Sequence, residues 1–416
     1  MSKYLITGGN KIHGTLSIKG AKNSILPLMA ASLLNGNVNI IHNAPLIADV
    51  YTMIDILKSI GCKIDFNDHV LVIDSSNLTS NEIDEAYVKK MRSSIIVLGA
   101  MISRLEHVKI YEPGGCAIGK RPIDLHLNSL RKLGVKIEEG SIINCERKEI
   151  IGHDIILESP SVGATENIIL AAVKAKGTTR IYNAAKEPEI EDLQDYVNKM
   201  GGKVSGAGSD FIEIQGVDKL GKVEHSVIPD RIAIGTYMVA SAITGGCLEV
   251  DKIVRRHMEP INNTLIKAGC NIEYTKEGLI LTSPKKIKAI NFLKTDIHPN
   301  FPTDMQAQMM ALMTLSDKNN IFYETIFENR FMHCSELNKM GANTEIISTH
   351  LCKVNGVNKL YGAKTKSPDL RGGAALILAA LAAEGESEIS NIYHVERGYE
   401  NIEGILNNLG GEIRKI

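Results

Sequence analysis

The segment LKSIGCKI, residues 57–64, joins the end of an apolar helix to the start of an apolar strand through one glycine. Glycine often ends a helix because it adopts the left-handed backbone conformation without a steric penalty. The same pattern recurs as LRKLGVKI (130–137), VNKMGGKV (197–204), LIKAGCNI (265–272), LNKMGANTEI (337–346) and LNNLGGEI (406–413). The glycines, at positions 61, 134, 201, 269, 341 and 410, are 73, 67, 68, 72 and 69 residues apart. This spacing predicts six repeats of one structural unit.

Each repeat carries a second helix and strand upstream of its glycine. In the last repeat, AALILAALAAEG (374–385) is apolar on nearly all sides, which indicates a helix buried within a domain. The following SEISNIYHV (387–395) alternates between apolar and polar residues, as a half-buried strand does. The repeat is therefore predicted to run helix, strand, helix, strand.

Six such repeats predict an α/β protein of two domains with three modules each. We expect residues 22–229 to form the first domain, and residues 1–21 plus 230–416 to form the second. The first twenty residues are predicted to add an extra strand pair. A cleft between two matched domains is a favoured place for a ligand, so the active site is expected there.

The composition excludes several classes of protein. Aromatic residues make up 5% of the chain and the formal net charge is −1, which argues against a nucleic-acid-binding surface. The first twenty residues lack the apolar core of a signal peptide, and no apolar run reaches membrane-spanning length. The seven cysteines show no CxxC pairing, so neither a disulfide framework nor a zinc site is expected. We expect a cytoplasmic protein that binds no metal, nucleic acid or membrane.

The loop EPGGCAIGKRPIDLH (112–126) resembles a phosphate-binding P-loop that lacks its last residue. From Gly114 it reads Gly-x-x-x-x-Gly-Lys, but Arg121 stands where a magnesium-binding Ser or Thr is needed. VKIYEP (108–113) is predicted to be a strand, and RPIDLHLNSLRKLG (121–134) a helix with Pro122 in its first turn. A plain glycine turn is one interpretation of the loop. The interpretation we favour is an anion site at a helix N-terminus.

Cys116 lies within this loop, close in sequence to Lys120 and Arg121. Cationic neighbours and a helix N-terminus favour the thiolate form. The sequence therefore predicts a reactive thiol, either a nucleophile or a proton donor, beside a bound phosphate.

Further cationic and polar residues recur at the module junctions. They lie in KGAKNS (19–24), KKMRSS (89–94), PTDMQAQ (302–308), FENRFMH (327–333), SPDLRGGA (367–374) and HVERGYE (394–400). Brought together in one cleft of a nearly neutral protein, these cations would bind a small polyanion.

Nine motifs carry a resemblance to a known family. They are GAKNS, PGGCAIGKRPIDLH, SVGATEN, NAAKEPEI, PDRIAIGT, HPNFPTDMQAQ, ETIFENRFMH, DLRGGAAL and IYHVERGYE. In their order along the whole chain they resemble the UDP-N-acetylglucosamine enolpyruvyl transferases. The resemblance implies two inside-out α/β barrels. It also implies transfer of the enolpyruvyl group of phosphoenolpyruvate to the 3-hydroxyl of UDP-N-acetylglucosamine, the first committed step of peptidoglycan synthesis.

The resemblance also implies a role for each matching residue. Lys22, Arg121 and Arg397 would bind the phosphate of phosphoenolpyruvate, and Arg330 and Arg371 its carboxylate. Asn23 would hold the sugar hydroxyl, Cys116 would protonate the methylene carbon, and Asp304 would accept the proton of the attacking hydroxyl. The UDP-sugar would contact Arg92, Arg121, Pro122, Ile123, Asp124, Leu125, Ser161, Val162, Gly163, Asp304 and Ile326. No cofactor is implied, and a monomer is expected.

The chain departs from the family pattern at several positions. Ala48 replaces a common Lys, Ala233 replaces a usual Glu, and Ser159 with Pro160 replaces a Lys-Val pair found in some members. These changes leave the catalytic set complete. They keep two alternatives open: a second copy of the enzyme, or a catalytically silent UDP-sugar-binding paralogue. Enolpyruvylshikimate-phosphate synthase is a further alternative, but it lacks the thiol loop.

Overall fold

A computed structural model describes residues 2–114, 118–119 and 122–416. By its internal contacts the chain divides into two compact units. The first unit comprises residues 19–116 and 121–228, and the second comprises residues 1–18, 117–120 and 229–416. Within the described residues, no helix combines the length and the apolar character needed to cross a bilayer.

Within the span 19–228, residues 118 and 119 belong by their contacts to the second unit. The cause lies in the backbone, where the carbonyl of Ile118 accepts a hydrogen bond of 3.1 Å from the N–H of Asn329. That the two units act as functional domains stays a prediction.

The third module shows the repeated architecture most simply. It runs strand, helix, strand, helix, strand, strand, over Asp154–Ile156, Val162–Ala172, Thr178–Tyr182, Pro188–Lys199, Lys203–Ser205 and Phe211–Gln215. The first two strands pair in parallel, and the last strand pairs antiparallel with the second and the third. In the described part of the chain this arrangement gives six sheets of four strands each. The predicted unit of two helices and two strands was therefore wrong, since it omitted two strands from each module.

The first unit holds two further modules. The first contains Lys22–Ala31, Val38–His42, Ala48–Ser59, Lys63–Asn67 and Val70–Asp74, and Val223–Ser226 supplies its opening strand. The second contains Glu82–Ile83, Glu85–Lys90, the 3-10 helix Arg92–Ile96, Val97–Arg104, His107–Tyr111, Asp124–Lys132, Lys136–Glu138 and Ile142–Glu146.

The second unit holds the other three modules. The fourth contains Gly14–Leu16, Arg231–Thr244, Cys247–Val250, Arg255–Lys267, Asn271–Tyr274 and Leu279–Thr282. The fifth contains Phe292–Lys294, the 3-10 helix Thr303–Met305, Gln306–Met313, Asn320–Tyr323, His333–Lys339, Asn343–Ser348 and Leu351–Asn355. The sixth contains Lys364–Lys366, Leu370–Ala382, Glu386–Ser390, Tyr393–Glu396, Ile402–Asn408, Glu412–Lys415 and, from the start of the chain, Tyr4–Thr7.

The two N-terminal strands do not pair with each other, contrary to the predicted strand pair. Tyr4–Thr7 lies between Glu386–Ser390 and Glu412–Lys415, whereas Gly14–Leu16 pairs with Cys247–Val250 in another sheet. Each strand fills the one position that its module leaves open. The N-terminus thus closes the second unit, as Val223–Ser226 closes the first.

The glycines of the repeat adopt the predicted left-handed conformation. Their φ angles are 109°, 95°, 99°, 97°, 86° and 92° for Gly61, Gly134, Gly201, Gly269, Gly341 and Gly410. An L-residue at these positions would be strained, because its Cβ would approach the backbone. The predicted helix caps are therefore confirmed.

The first long helix of each module forms the interior of its unit. Every residue from Arg231 to Ile243 is buried, and so is every residue from Arg371 to Leu381. The sheets cover these helices and alternate between buried and exposed side chains, as Phe211–Gln215 does. Several of the predicted site residues lie at the starts of these central helices.

Candidate active site

In the second unit, one carboxylate binds two buried guanidinium groups. Asp304 lies in the 3-10 helix Thr303–Met305, and its Oδ1 accepts a hydrogen bond of 2.8 Å from Arg330 Nη2. Its Oδ2 accepts one of 2.9 Å from Arg371 Nη2. Three residues that the sequence places in three different motifs are thus brought together.

Burial strengthens the attraction between the charged groups of this cluster. The side chains of Arg330 and Arg371 are only 3% and 5% exposed, whereas that of Asp304 is 26% exposed. Burial alone would lower the pKa of Arg371, but Asp304, together with Tyr399 and Asp230, outweighs this effect and raises the pKa above its usual value. Two guanidinium groups with little access to water form a receptor suited to a small carboxylate.

Aromatic rings lie against both arginines. The guanidinium carbon of Arg371 is 5.5 Å from the centre of the Tyr399 ring, and that of Arg330 is 5.3 Å from the Phe327 ring. At these distances the rings attract the cations. His333 is a buried residue close to Arg330. Burial is the main cause that lowers the pKa of its imidazole to about 4, so the ring is neutral at neutral pH.

A buried polar network supports the pair of Asp304 and Arg371. Gln308 Nε2 donates to the carbonyl of Asp304 at 2.8 Å and to the Tyr399 hydroxyl at 3.2 Å. The Tyr399 hydroxyl is also 2.9 Å from Thr236 Oγ1. Sequence reasoning missed Gln308, Tyr399 and Thr236 because a buried polar residue inside an apolar helix has no distinctive pattern.

Glu324 is a second residue that sequence reasoning missed. This fully buried carboxylate accepts hydrogen bonds from Thr303 Oγ1 at 2.9 Å and from the N–H of Ile326 at 2.8 Å. It therefore ties the residue before Asp304 to Ile326, whose side chain is 36% exposed. Its place after a strand, in the motif ETIFENRFMH, was the available signal.

Arg397 follows the short helix Tyr393–Glu396, and its side chain is half-buried. It lies two residues before Tyr399, whose ring contacts Arg371. The second unit thus holds Arg330 and Arg371 in contact with Asp304.

In the first unit, Lys22 begins the central helix Lys22–Ala31 and forms an ion pair. Its Nζ lies 2.9 Å from Oδ2 of Asp49, and their side chains are 12% and 4% exposed. Asn23 follows on the same helix and is half-buried. The next residue, Ser24, donates a short hydrogen bond to the buried carboxylate of Asp192, which anchors this helix start.

Most of the residues expected to bind the UDP-sugar lie at three helix starts of the first unit. Arg92 begins the 3-10 helix Arg92–Ile96, and Asp124 and Leu125 begin the helix Asp124–Lys132. Ser161 caps the helix Val162–Ala172, where its side chain accepts a hydrogen bond of 3.3 Å from Ala164. Gly163 packs against the ring of His126, which brings the last two helix starts together.

One detail of the sequence interpretation is wrong. Pro122 does not lie in the first turn of its helix, because the first helical hydrogen bond runs from the N–H of Leu127 to the carbonyl of Ile123. Ile123 is therefore the cap, and Pro122 precedes it. The predicted thiol Cys116 and the predicted phosphate ligand Arg121 lie outside the described residues, as does Lys120.

Comparisons with known proteins agree with this architecture. The sequence profile of EPSP synthase (3-phosphoshikimate 1-carboxyvinyltransferase) matches residues 6–406. The chain is 45% identical, over the full length of both proteins, to UDP-N-acetylglucosamine 1-carboxyvinyltransferase 2 of Caldanaerobacter subterraneus subsp. tengcongensis. It is 46% identical to carboxyvinyltransferase 1 of the same organism, over 99% of each chain.

The chain belongs to the UDP-N-acetylglucosamine 1-carboxyvinyltransferase family. The predicted family resemblance is thereby confirmed, and the chain is an enolpyruvyl transferase by family.

Solved structures bear out the fold. The chain is similar to the enolpyruvyl transferase NikO from Streptomyces tendae, with a TM-score of 0.89, 21% identity and coverage of 100% and 98% of the two chains. It is also similar to the EPSP synthase of Acinetobacter baumannii, with a TM-score of 0.76, 16% identity and full coverage of both chains. The predicted fold class of two inside-out α/β barrels is confirmed.

Proposed function

We propose that this protein transfers the enolpyruvyl group of phosphoenolpyruvate to the 3-hydroxyl of UDP-N-acetylglucosamine and releases phosphate. This is the reaction that commits UDP-N-acetylglucosamine to peptidoglycan synthesis. The observation that carries the proposal is the contact of Asp304 with Arg330 and Arg371, a base beside a carboxylate receptor. Relatives of 45–46% identity that are named for this activity support it.

The donor would bind through its two anionic groups. Arg330 and Arg371 would hold the carboxylate, since each guanidinium has five N–H donors and can serve Asp304 and a ligand together. Lys22, Arg121 and Arg397 would hold the phosphate. These fixed cations would stabilise the tetrahedral adduct, which still carries both anionic groups, without reorganisation during the reaction.

The proton transfers would complete an addition and an elimination. Asp304 would accept the proton of the sugar hydroxyl as the oxygen attacks C2 of the donor, and Cys116 would protonate the methylene carbon. Loss of a proton from that carbon then expels phosphate and restores the double bond. Asn23 would hold the sugar hydroxyl and the adduct in place.

The acceptor would lie along the helix starts of the first unit. Pro122 to Leu125, Ser161 to Gly163 and Arg92 would contact the UDP-sugar, together with Ile326 of the second unit. This set and the donor set draw on residues of both units. We propose that the protein does this as a cytoplasmic monomer.

A phosphate-release assay with two acceptors tests the proposal. With phosphoenolpyruvate present, we expect rapid phosphate release on adding UDP-N-acetylglucosamine and only background release on adding shikimate 3-phosphate. Release with shikimate 3-phosphate alone would assign the EPSP synthase activity instead. Tight binding of UDP-N-acetylglucosamine without turnover would identify a silent paralogue.

A further inference from the structure

The side-chain amide of Asn167 joins three segments of the first unit: its own helix, the continuous 3-10 and α-helical segment from Arg92 to Arg104, and the helix Asp124–Lys132. Asn167 is fully buried in the helix Val162–Ala172. Its Oδ1 accepts a hydrogen bond of 2.7 Å from the N–H of Gly99, in the helix Val97–Arg104. Its Nδ2 donates to the carbonyl of Ile95 at 3.0 Å and contacts Nδ1 of His126, in the helix Asp124–Lys132, at 2.7 Å. Both donors and the acceptor of this amide are thus used.

These contacts determine the orientation of the amide and the tautomer of His126. The N–H of Gly99 requires an acceptor, so it must face Oδ1, and the carbonyl of Ile95 requires a donor, so it must face Nδ2. The second N–H of Nδ2 then points at Nδ1 of His126, which must accept. His126 is therefore a neutral imidazole that carries its proton on Nε2.

Close packing holds the same three elements together. A Cβ on Gly99 would lie 2.4 Å from the carbonyl oxygen of Asn167, and one on Gly163 would lie 2.9 Å from Cε1 of His126. Both positions are restricted to glycine by this contact with a neighbouring helix. The three helix starts therefore have little freedom to shift relative to one another.

Each joined element begins with residues expected at the UDP-sugar. Arg92 opens the 3-10 helix that contains Ile95, Pro122 to Leu125 lie immediately before His126, and Ser161 to Gly163 precede Asn167 by one turn. One buried amide thus sets the relative positions of three substrate-binding segments.

We propose that Asn167 and His126 are positioning residues for the UDP-sugar. They fix the three helix starts that bind the sugar nucleotide and take no part in catalysis themselves. The inference rests on the proposed function, because it takes UDP-N-acetylglucosamine as the ligand. It adds a pair of buried residues that would determine affinity for the acceptor.

Isothermal titration with UDP-N-acetylglucosamine tests the proposal against a matched control. Asn39 is equally buried in the same unit, and its Nδ2 donates to the carbonyls of Ser32 and Asn37 at 3.0 Å each. Those partners lie beyond the C-terminal end of the helix Lys22–Ala31, away from the helix starts. We expect Asn167→Ala to weaken binding about 10-fold or more, since small misplacements of binding groups are costly, and Asn39→Ala to leave it within about 2-fold.

Two variants of His126 separate positioning from general stability. His126→Asn keeps an acceptor near the place of Nδ1, whereas His126→Leu fills similar space and removes it. We expect His126→Asn to retain most of the affinity and His126→Leu to lose about 10-fold. If Asn167→Ala does not fold, this pair carries the test.

Nuclear magnetic resonance of ¹⁵N-labelled histidine gives a readout independent of substrate. The proposal predicts that His126 is in the Nε2–H tautomer, with its signal assigned from the His126→Asn variant. An Nδ1–H tautomer, or wild-type affinity in folded Asn167→Ala or His126→Leu, would overturn the inference while the proposed function stands. Failure of the wild-type protein itself to bind UDP-N-acetylglucosamine would instead overturn the proposed function, and the inference with it.

Discussion

Asp304 is the residue on which the proposed chemistry depends most. Its two carboxylate oxygens lie 2.8 and 2.9 Å from the guanidinium groups of Arg330 and Arg371. A donor carboxylate that binds the same arginines through their other N–H donors would share each guanidinium with Asp304 and weaken its attraction to Asp304. Binding of phosphoenolpyruvate is therefore expected to loosen these contacts, which leaves Asp304 a better acceptor for the proton of the sugar hydroxyl.

Replacement of Asp304 by Asn tests this role. Asn keeps the size of the side chain but cannot act as a base, so we expect kcat to fall by about 10²–10⁴-fold while donor binding falls only modestly. Steady-state kinetics and donor titration measure the two effects. Asp304→Ala should also destabilise the second unit by about 3 kcal/mol, because two buried cations lose their partner. Full activity in Asp304→Asn would refute the assignment.

Cys116 is predicted to be the most reactive thiol of the chain. Burial raises the pKa of Cys62, Cys145 and Cys270 to about 12, so these thiols are protonated and unreactive near neutral pH. Cys247 is exposed and is the natural competitor. We expect the epoxide fosfomycin to alkylate Cys116 first, as peptide mass spectrometry would show, and a Cys247→Ser variant to be alkylated equally fast. First modification of Cys247 would contradict the prediction.

At the scale of elements, the starts of the central helices are held by buried polar side chains. Three of these side chains occupy the same position in their modules. Counted from the start of the module's first helical segment, Thr236 is the sixth residue from Arg231, Gln308 the sixth from Thr303, and Asn167 the sixth from Val162. The first two belong to one network of the second unit, which also holds Tyr399. The same repeat position thus supports the candidate site in both units.

Two replacements of Tyr399 separate the roles of its ring and its hydroxyl. Tyr399→Phe keeps the ring beside Arg371 but breaks the network, so we expect a loss of about 1 kcal/mol in stability and a lower kcat with an unchanged KM for phosphoenolpyruvate. Tyr399→Leu also removes the ring, so KM for the donor should rise. Equal KM values in the two variants would show that the ring does not support Arg371.

The glycine caps allow a test of the repeat itself. Gly201 has a φ of 99°, and a Cβ there would meet no atom within 4 Å, so an added methyl group would cause backbone strain alone. Gly201→Ala should lower the free energy of unfolding by about 1 kcal/mol, and Gly201→Asn by less, because Asn tolerates this conformation better. Denaturant titration checks the order, with Gly221→Ala as a control at a glycine without positive φ.

The repeat was readable from sequence because a glycine after an apolar helix leaves a local signal. The opening strands were not readable: Asp154–Ile156 is three residues long, too short to show alternation. The sheet positions of Tyr4–Thr7 and Val223–Ser226 could not be predicted either, because the strands with which they pair are distant in the chain. The charged residues of the site stood out in motifs. Gln308, Glu324 and Asn167 did not, because their roles depend on contacts between elements.

At the scale of the whole molecule, each unit has a hydrophobic core of its own. The second unit also buries two histidines, His298 and His333, and burial is the main cause that lowers the pKa of each to about 4. In the unfolded chain the pKa of each histidine is near its usual value of 6.5. Between these values the unfolded state binds more protons than the folded state, so acid favours unfolding.

Scanning calorimetry at several pH values tests this sensitivity. The contribution of the two histidines to stability should be complete above about pH 6.5 and should be lost progressively as the pH falls toward 4. We expect the melting temperature of the second unit to fall over this range, and to fall less in His333→Gln, which cannot be protonated. An equal slope in wild type and variant would show that His333 does not contribute.

The central claim is that this chain makes an enolpyruvyl ether of UDP-N-acetylglucosamine. Mass spectrometry of a reaction with phosphoenolpyruvate and UDP-N-acetylglucosamine tests it most directly. The account predicts a product heavier than the sugar nucleotide by one enolpyruvyl group, formed in equal amount with phosphate by the wild-type protein and not by Asp304→Asn. Absence of that product from folded wild-type protein with both substrates bound, or its formation at full rate by Asp304→Asn, would contradict the account.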